Sequence, residues 1–172
     1  AGSMTVLTDD MRRRIEEALA RFPRKQAATL PALHIVQDEL RHIPREAIRE
    51  IAALLDVHPA EVHDTLSFYG FFRDEARPLG KRRVWVCRSL SCALRGGDEL
   101  LATACDKLDV RPGETTADGD ITLELGECLG ACDGAPCLLV DDECRMNVSD
   151  WDTARAAVTC ENGDGSPQMV PT

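Results

Sequence analysis

The chain has 172 residues, 44% of them hydrophobic, and a formal net charge of -10. The hydrophobic content supports a real core and excludes wholesale disorder, and the length suits one ordinary domain or a small helical domain joined to a compact second one. The acidic balance argues against nucleic acid or an anionic membrane as the main partner, because both reward clustered Lys and Arg.

Ala1-Gly2-Ser3 ahead of Met4 reads as an expression scar with the native start at Met4. No apolar run nears the roughly 20 residues of a membrane span, and no basic-then-apolar leader is present. The stretch from Thr5 to Arg77 contains no cysteine and reads as helical. Thr8 is a plausible N-cap, with Asp9 and Asp10 at the positive end of the helix dipole. Met11, Ile15, Leu19 and Phe22 then form an apolar stripe that Pro23 ends. A second helix starts near Pro31 with Leu33, Val36 and Leu40 on one face. A third follows Pro44 with Ile48, Ile51, Ala52 and Leu55, and His58-Pro59 opens a fourth carrying Val62 and Leu66. These short amphipathic helices predict a bundle over residues 5–77. "SFYGFF", residues 67–72, concentrates the aromatic residues and reads as hydrophobic glue toward the next domain or as a patch for a partner. Arg77-Pro78-Leu79-Gly80 marks the domain boundary.

From residue 81 the character changes. Val84 and Val86 alternate with Arg83 and Trp85, a strand signal ending at Cys87. After Cys92 a helix is expected with Leu94, Leu101, Ala104 and Leu108 inward. Ala117-Asp118-Gly119-Asp120 is a tight-turn signature before a strand over 121–125. Further strands are expected over 137–140 and 145–148, with a turn at 141–143. Ser149 and Asp152 resemble a capping box opening a last helix through Val158. Residues 161–172 lack periodicity and read as a disordered tail. The order β-α-β-β-β-α gives a small sheet with helices against it.

Eight cysteines are many for a chain without an export signal, and its own core makes a disulfide framework unnecessary. Reduced thiols, some of them ligands, are the better reading. Cys87 and Cys92 have four residues between them at a strand end. Thirty-five residues later, Cys128 and Cys132 have three between them, again after a strand. Four thiolates suit a soft centre, zinc or an iron–sulfur cluster. Zinc knuckles usually leave two residues between ligands. Gaps of four and three are looser and suit two irons with one pair of ligands each, while structural zinc and unliganded thiols stay open on spacing alone. Gly126, Gly130 and Gly134 let the backbone wrap closely around the second pair.

The run from Leu30 to Val158 resembles the small thioredoxin-like [2Fe–2S] subunit in the NADH dehydrogenase module of bacterial respiratory complex I, the NADH:quinone oxidoreductase. Relatives of that family serve NAD-dependent formate dehydrogenases and NAD-reducing hydrogenases. The segments that carry the resemblance are "LPALHIVQDEL", "IPREAI", "SFYGFF", "VCRSLSCALRGGDELL", "GETTADGDITLELGECLGACDGAP" and "MNVS". It implies an α+β chain, an N-terminal helical bundle over 5–77 followed by a thioredoxin-like α/β domain over 81–160 carrying one [2Fe–2S] cluster. Carried over, Cys87 and Cys92 would bind one iron and Cys128 and Cys132 the other. A cis peptide at Ala135-Pro136 is also implied, although an X–Pro bond is trans by default. The implied role is electron transfer, within an NADH:quinone oxidoreductase-type complex, with the FMN of a larger NADH-oxidising subunit that also bears a [4Fe–4S] cluster. The place would then be cytoplasmic, peripheral on the inner face of the plasma membrane, with no direct membrane insertion.

Cys105 reads as core, and Cys160 lies at a frayed end. Cys137 stands where that family has a small or apolar residue and reads as packing or as a thiol near the cluster. If Cys137 and Cys144 face each other on a hairpin, they are placed for a disulfide. His34, His42, His58 and His63 read as surface or capping residues. Glu127 and Asp133 would disfavour a reduced cluster, and Arg88, Arg95 and loop amides would favour it. No G-x-G-x-x-G after a strand, P-loop or nucleophile–His arrangement is present, so no complete active site and no nucleotide site is expected. Two rivals remain: a structural zinc module that tethers partners, and a thiol–disulfide protein, which ordinarily has C-x-x-C at a helix start.

Overall fold

The computed structural model describes residues 5–152, 154 and 155. The expectations for Ala1–Met4, for the last helix beyond Arg155, for Cys160 and for the tail lie outside the described residues. The described chain forms two compact units, one ending at Gly80 and the other beginning at Lys81.

The first unit is a helical bundle. Thr8 caps α1 (Asp9–Leu19), its hydroxyl accepting from the Met11 N–H at 3.2 Å. This helix closes before Pro23, and Phe22 lies beyond it and partly exposed. A single 3-10 stretch over Lys25–Ala28 leads into α2 (Thr29–Leu40), which therefore starts two residues before Pro31. Pro44 precedes α3 (Arg45–Leu55). His58 caps α4 (Pro59–Phe68) reciprocally: its ring accepts from the Ala60 N–H, and the Glu61 carboxylate accepts from the His58 N–H at 3.1 Å. Ile15, Leu33, Val36, Ile51, Leu55 and Val62 are fully buried between these helices.

The aromatic segment after α4 folds back onto its own bundle. Phe72 is 6% exposed within this core, Phe71 packs against it, and both rings lie against His34. A buried amide holds the segment there. Gln37 donates to the Phe71 carbonyl at 2.9 Å and accepts from the Arg73 N–H at 2.7 Å, so both ends of the amide are satisfied. Phe68, in contrast, is 79% exposed.

The second unit is built on a four-stranded sheet in the order β2-β1-β3-β4. β1 (Arg82–Cys87) pairs in parallel with β2 (Ile121–Gly126), across a crossover containing a single helical turn α5 (Leu90–Ala93) and α6 (Gly97–Leu108). β3 (Leu138–Val140) and β4 (Glu143–Arg145) add antiparallel pairings on the other side. Val84, Val86, Leu123 and Leu138 meet Leu100, Ala104, Trp151 and Ala154 in one core. Trp151, Asp152, Ala154 and Arg155 are helical.

Three expectations for this unit need correction. Leu94 is exposed and Leu100 is buried instead, because Gly96 at φ 92° breaks the helix and restarts its phase at Gly97. The last strand lies at 143–145 and not 145–148, because Asp141 at φ 52° and Asp142 make a two-residue turn that pairs Val140 with Glu143. That register sets Cys144 opposite Leu139, two residues from Cys137. Both cysteines are free thiols, so the hairpin disulfide does not form.

One carboxylate ties the chain's start to the bundle. Glu50 on α3 accepts from the Val6 N–H at 2.7 Å and the Leu7 N–H at 3.4 Å and pairs with Arg12. Glu50→Ala leaves two partly buried N–H groups without this acceptor, and we expect a loss of about 1–3 kcal/mol in urea unfolding. An unchanged midpoint would show that water replaces the carboxylate at no cost.

Candidate metal centre

β1 and β2 run in parallel with Cys87 opposite Gly126, and the Arg88 N–H continues the ladder to the Gly126 carbonyl at 3.0 Å. Both strands therefore leave the sheet at the same end, and the residues that follow them form neighbouring loops. After β1 the chain turns into α5, which carries Cys92. After β2 it passes Cys128, turns at Gly130 with φ 80°, and reaches Cys132 at the start of a single 3-10 turn. The Ala135-Pro136 peptide, which follows, is cis. Cys137 then lies across from Cys87, whose N–H donates to the Cys137 carbonyl at 3.3 Å.

The thiols fall into a buried set and an exposed set. Cys87, Cys92 and Cys137 are buried, with sulfurs all within 4.8 Å of one another, and Cys92 and Cys137 are 3.7 Å apart. Cys128 and Cys132 are exposed, with sulfurs 3.5 Å apart. Ser91, on the Cys87–Cys92 loop, acts to lower the Cys132 thiol. Cys105 is half-buried against the sheet core, away from these groups, as expected of a packing residue.

Burial and hydrogen bonding divide the thiols further. Burial works against the Cys87 thiolate, but backbone groups of Ser89 and Leu129, with the Cys92 and Cys137 thiols, outweigh it and hold Cys87 below the ordinary thiol range. Burial and the neighbouring Cys87 raise Cys92, and burial with Cys92 raises Cys137 strongly. Cys132 is raised chiefly by its hydrogen bond with Cys128 and the charge of that thiol. Thiols that oppose one another's ionisation in this way are relieved by a cation among them.

The donor set fits a thiophilic metal group. Two thiolates about 2.3 Å from one tetrahedral metal lie about 3.8 Å apart, close to the 3.5 Å between Cys128 and Cys132. Two glycines give the close approach that the loops require. A Cβ on Gly97 would meet the Cys92 carbonyl carbon and oxygen at 2.9 and 2.8 Å, and one on Gly134 would meet Met146 at 2.6 Å. Arg95 closes the assembly by donating to the Ala135 carbonyl at 2.7 Å. Arg88 forms an ion pair with Glu127, so two of the charges expected to pull the site in opposite directions offset each other.

Sequence reasoning does not single out Ser91 or Gly97, and it leaves Cys137 open between packing and a thiol near the cluster. Ser91 and Gly97 lie inside "VCRSLSCALRGGDELL" without a distinguishing signal, since serine and glycine are common in loops. Cys137 reads from the sequence first as packing. The signal that it belongs to the site is its strand position directly across from Cys87, visible only once the register is known.

Comparison with known proteins gives a consistent result. A family model described as thioredoxin-like [2Fe–2S] ferredoxin matches residues 15–159. An NADH-quinone oxidoreductase subunit of Rhizobium meliloti is 40% identical over 152 residues, covering 88% of each chain. A second, NADH-quinone oxidoreductase subunit 2 of Thermus thermophilus, is 40% identical over 137 residues, covering 78% of this chain and 75% of that one. Among solved structures, an NAD+-reducing [NiFe]-hydrogenase in the H2-reduced state matches with a TM-score of 0.67 at 24% identity. That match covers 78% of this chain but only 22% of the solved one, and at this identity it shows the fold alone.

Gly97→Val tests the close packing of the site. Its branched side chain has no room beside the Cys92 backbone, so the loop must shift. We expect bound metal per purified chain to fall at least severalfold while circular dichroism keeps its helical signal. Full metal content would show that the Cys87–Cys92 loop tolerates the displacement.

Proposed function

Because this chain belongs to the thioredoxin-like [2Fe–2S] ferredoxin family, we propose that it is the electron-transfer subunit of an NADH:quinone oxidoreductase-type complex, with Cys87 and Cys92 on one iron and Cys128 and Cys132 on the other. The observation that carries this reading is the parallel β1–β2 pairing, which delivers both cysteine loops to the same end of the sheet. The cofactor is a [2Fe–2S] cluster, which when bound carries one electron.

The chain's own residues prepare that end of the sheet. Cys87 and Cys92 present their sulfurs from a buried position, where the adjacent strands exclude water. Backbone groups of Ser89 and Leu129 stabilise negative charge on Cys87 before any metal arrives. Cys128 and Cys132 stand at the exposed side, where a redox partner can come close. Electron tunnelling requires closeness and no bond making, so one open side suffices.

The partner in this reading is a larger subunit that oxidises NADH at FMN and bears a [4Fe–4S] cluster. An equivalent place in an NAD-dependent formate dehydrogenase or an NAD-reducing hydrogenase is the alternative, and the likeness to the hydrogenase chain supports that fold-level kinship. In either setting the chain works beside other subunits. No described helix is long and apolar enough to cross a membrane. In this reading the chain sits peripherally on the cytoplasmic face. The structural-zinc reading loses ground, because the family that the chain belongs to is a [2Fe–2S] one.

Phe68 is the best candidate for docking. Its ring is exposed on the last turn of α4, while Phe72, otherwise a natural choice, is committed to the bundle core.

Two measurements test this function. Anaerobically purified chain is expected to be reddish-brown, with about two irons and two acid-labile sulfides and no stoichiometric zinc. One zinc and no colour would overturn the electron-transfer reading. Phe68→Asp, coexpressed with the flavoprotein subunit, is expected to weaken co-elution on gel filtration by at least tenfold in apparent affinity. Unchanged co-elution of a folded variant would remove α4 from the interface.

A further inference from the structure

Three buried thiols, not two, lie within 4.8 Å of one another at the Cys87–Cys92 loop. We propose that Cys137 is a second donor for the iron assigned to Cys87 and Cys92, interchangeable there with Cys92; this rests on the [2Fe–2S] reading above.

The count comes first. A binuclear cluster takes four thiolates. The exposed loop contributes Cys128 and Cys132, which leaves three buried sulfurs for two places. Cys87 is common to any choice, because it ends β1 in fixed register with β2 and both other sulfurs lie within 4.8 Å of its own. The choice therefore lies between Cys92 and Cys137.

Geometry places the two side by side. Their sulfurs are 3.7 Å apart, and both lie within 4.8 Å of Cys87. Cys137 faces Cys87 across the antiparallel β1–β3 pair, and such cross-strand neighbours project to one face of a sheet. Its sulfur thus points where the Cys87 sulfur points. The backbone around it is well fixed, since the Val148 N–H donates to the Pro136 carbonyl at 3.0 Å and the Cys87 N–H to the Cys137 carbonyl. Cys92 comes instead from the single turn α5, between Ser89 and the break at Gly96. A thiol that directly precedes β3 and a thiol on the short turn α5 therefore compete for one position, and loss of the α5 ligand leaves a preplaced substitute. Exchange consumes no oxidant: one thiol gives up its proton to solvent as it binds, and the displaced thiolate takes one up.

The test uses the full chain purified anaerobically as wild type, Cys92→Ala, Cys137→Ala and the double variant, each assayed for iron, acid-labile sulfide, visible absorption and the electron paramagnetic resonance of the reduced form. We expect Cys137→Ala to resemble wild type. We expect Cys92→Ala to keep about two irons and two sulfides with altered resonance, and the double variant to lose at least four-fifths of both. In Cys92→Ala/Cys137→Ser, any cluster retained should absorb at shorter wavelength, because oxygen replaces sulfur at the site. A loaded wild type with a folded but empty Cys92→Ala chain would overturn the proposal alone. So would a double variant as full as Cys92→Ala. If Cys92→Ala does not fold, Cys92→Ser decides: its absorption must change when Cys137→Ala is added, and an unchanged spectrum overturns the proposal. A metal-free wild type would overturn the cluster reading and this proposal with it.

Discussion

The parallel register of β1 and β2 is the constraint on which the site depends. Parallel strands cannot be joined by a tight turn, so a crossover of many residues must separate them, here α5 and α6. The chain therefore reaches the same end of the sheet twice, more than thirty residues apart, and deposits a cysteine loop each time. A slip of one residue would turn Val84 and Val86 away from the core and carry Cys87 to the opposite face. Burial of Val84, Val86 and Leu123 thus fixes the direction of the Cys87 sulfur. Packing free energy in the sheet becomes positional accuracy at the metal centre.

Much of this was legible in the sequence because local rules and tertiary needs agreed. Thr8 and His58 announce helix starts by chemistry that operates within one turn. Alternation over 82–87 announces a strand because one face of that strand is buried. The two cysteine pairs are visible as loops following strands. What stayed hidden depended on phase and register. Leu94 falls at helical spacing from Leu101 and Leu108, yet Gly96 adopts a left-handed conformation and resets the helix. The 141–142 turn is two residues long, and nothing short of the strand pairing distinguishes it from the three-residue turn expected over 141–143. Cys137 could not be assigned for the same reason, since sequence distance says nothing about which thiol lies across a sheet.

The bundle shows a related division between what composition suggests and what packing decides. Six residues, "SFYGFF", read as one apolar patch, but the fold assigns them unlike roles. Gln37 captures the backbone on both sides of Phe72, which leaves that ring no path outward. Phe68 lies one turn earlier at the end of α4 and receives no such anchor. A buried side-chain amide, with both its carbonyl and its amino group used, selects which aromatic is structural and which stays on the surface.

The electrostatics around the thiols follow from the same backbone geometry. A thiolate cage concentrates negative charge, and the chain as a whole carries -10, so some local positive potential must compensate. Arg88 is matched by Glu127 in an ion pair, and Arg95 donates through Nε to the Ala135 carbonyl. Backbone groups aimed at sulfur, such as those of Ser89 and Leu129 at Cys87, contribute to that compensation. Backbone dipoles keep their value across pH and lose little to salt when buried. The loops that deliver the cysteines are therefore also a source of the field that stabilises their charge, and the close approach allowed at Gly97 holds the start of α6 against the Cys87 and Cys92 backbone.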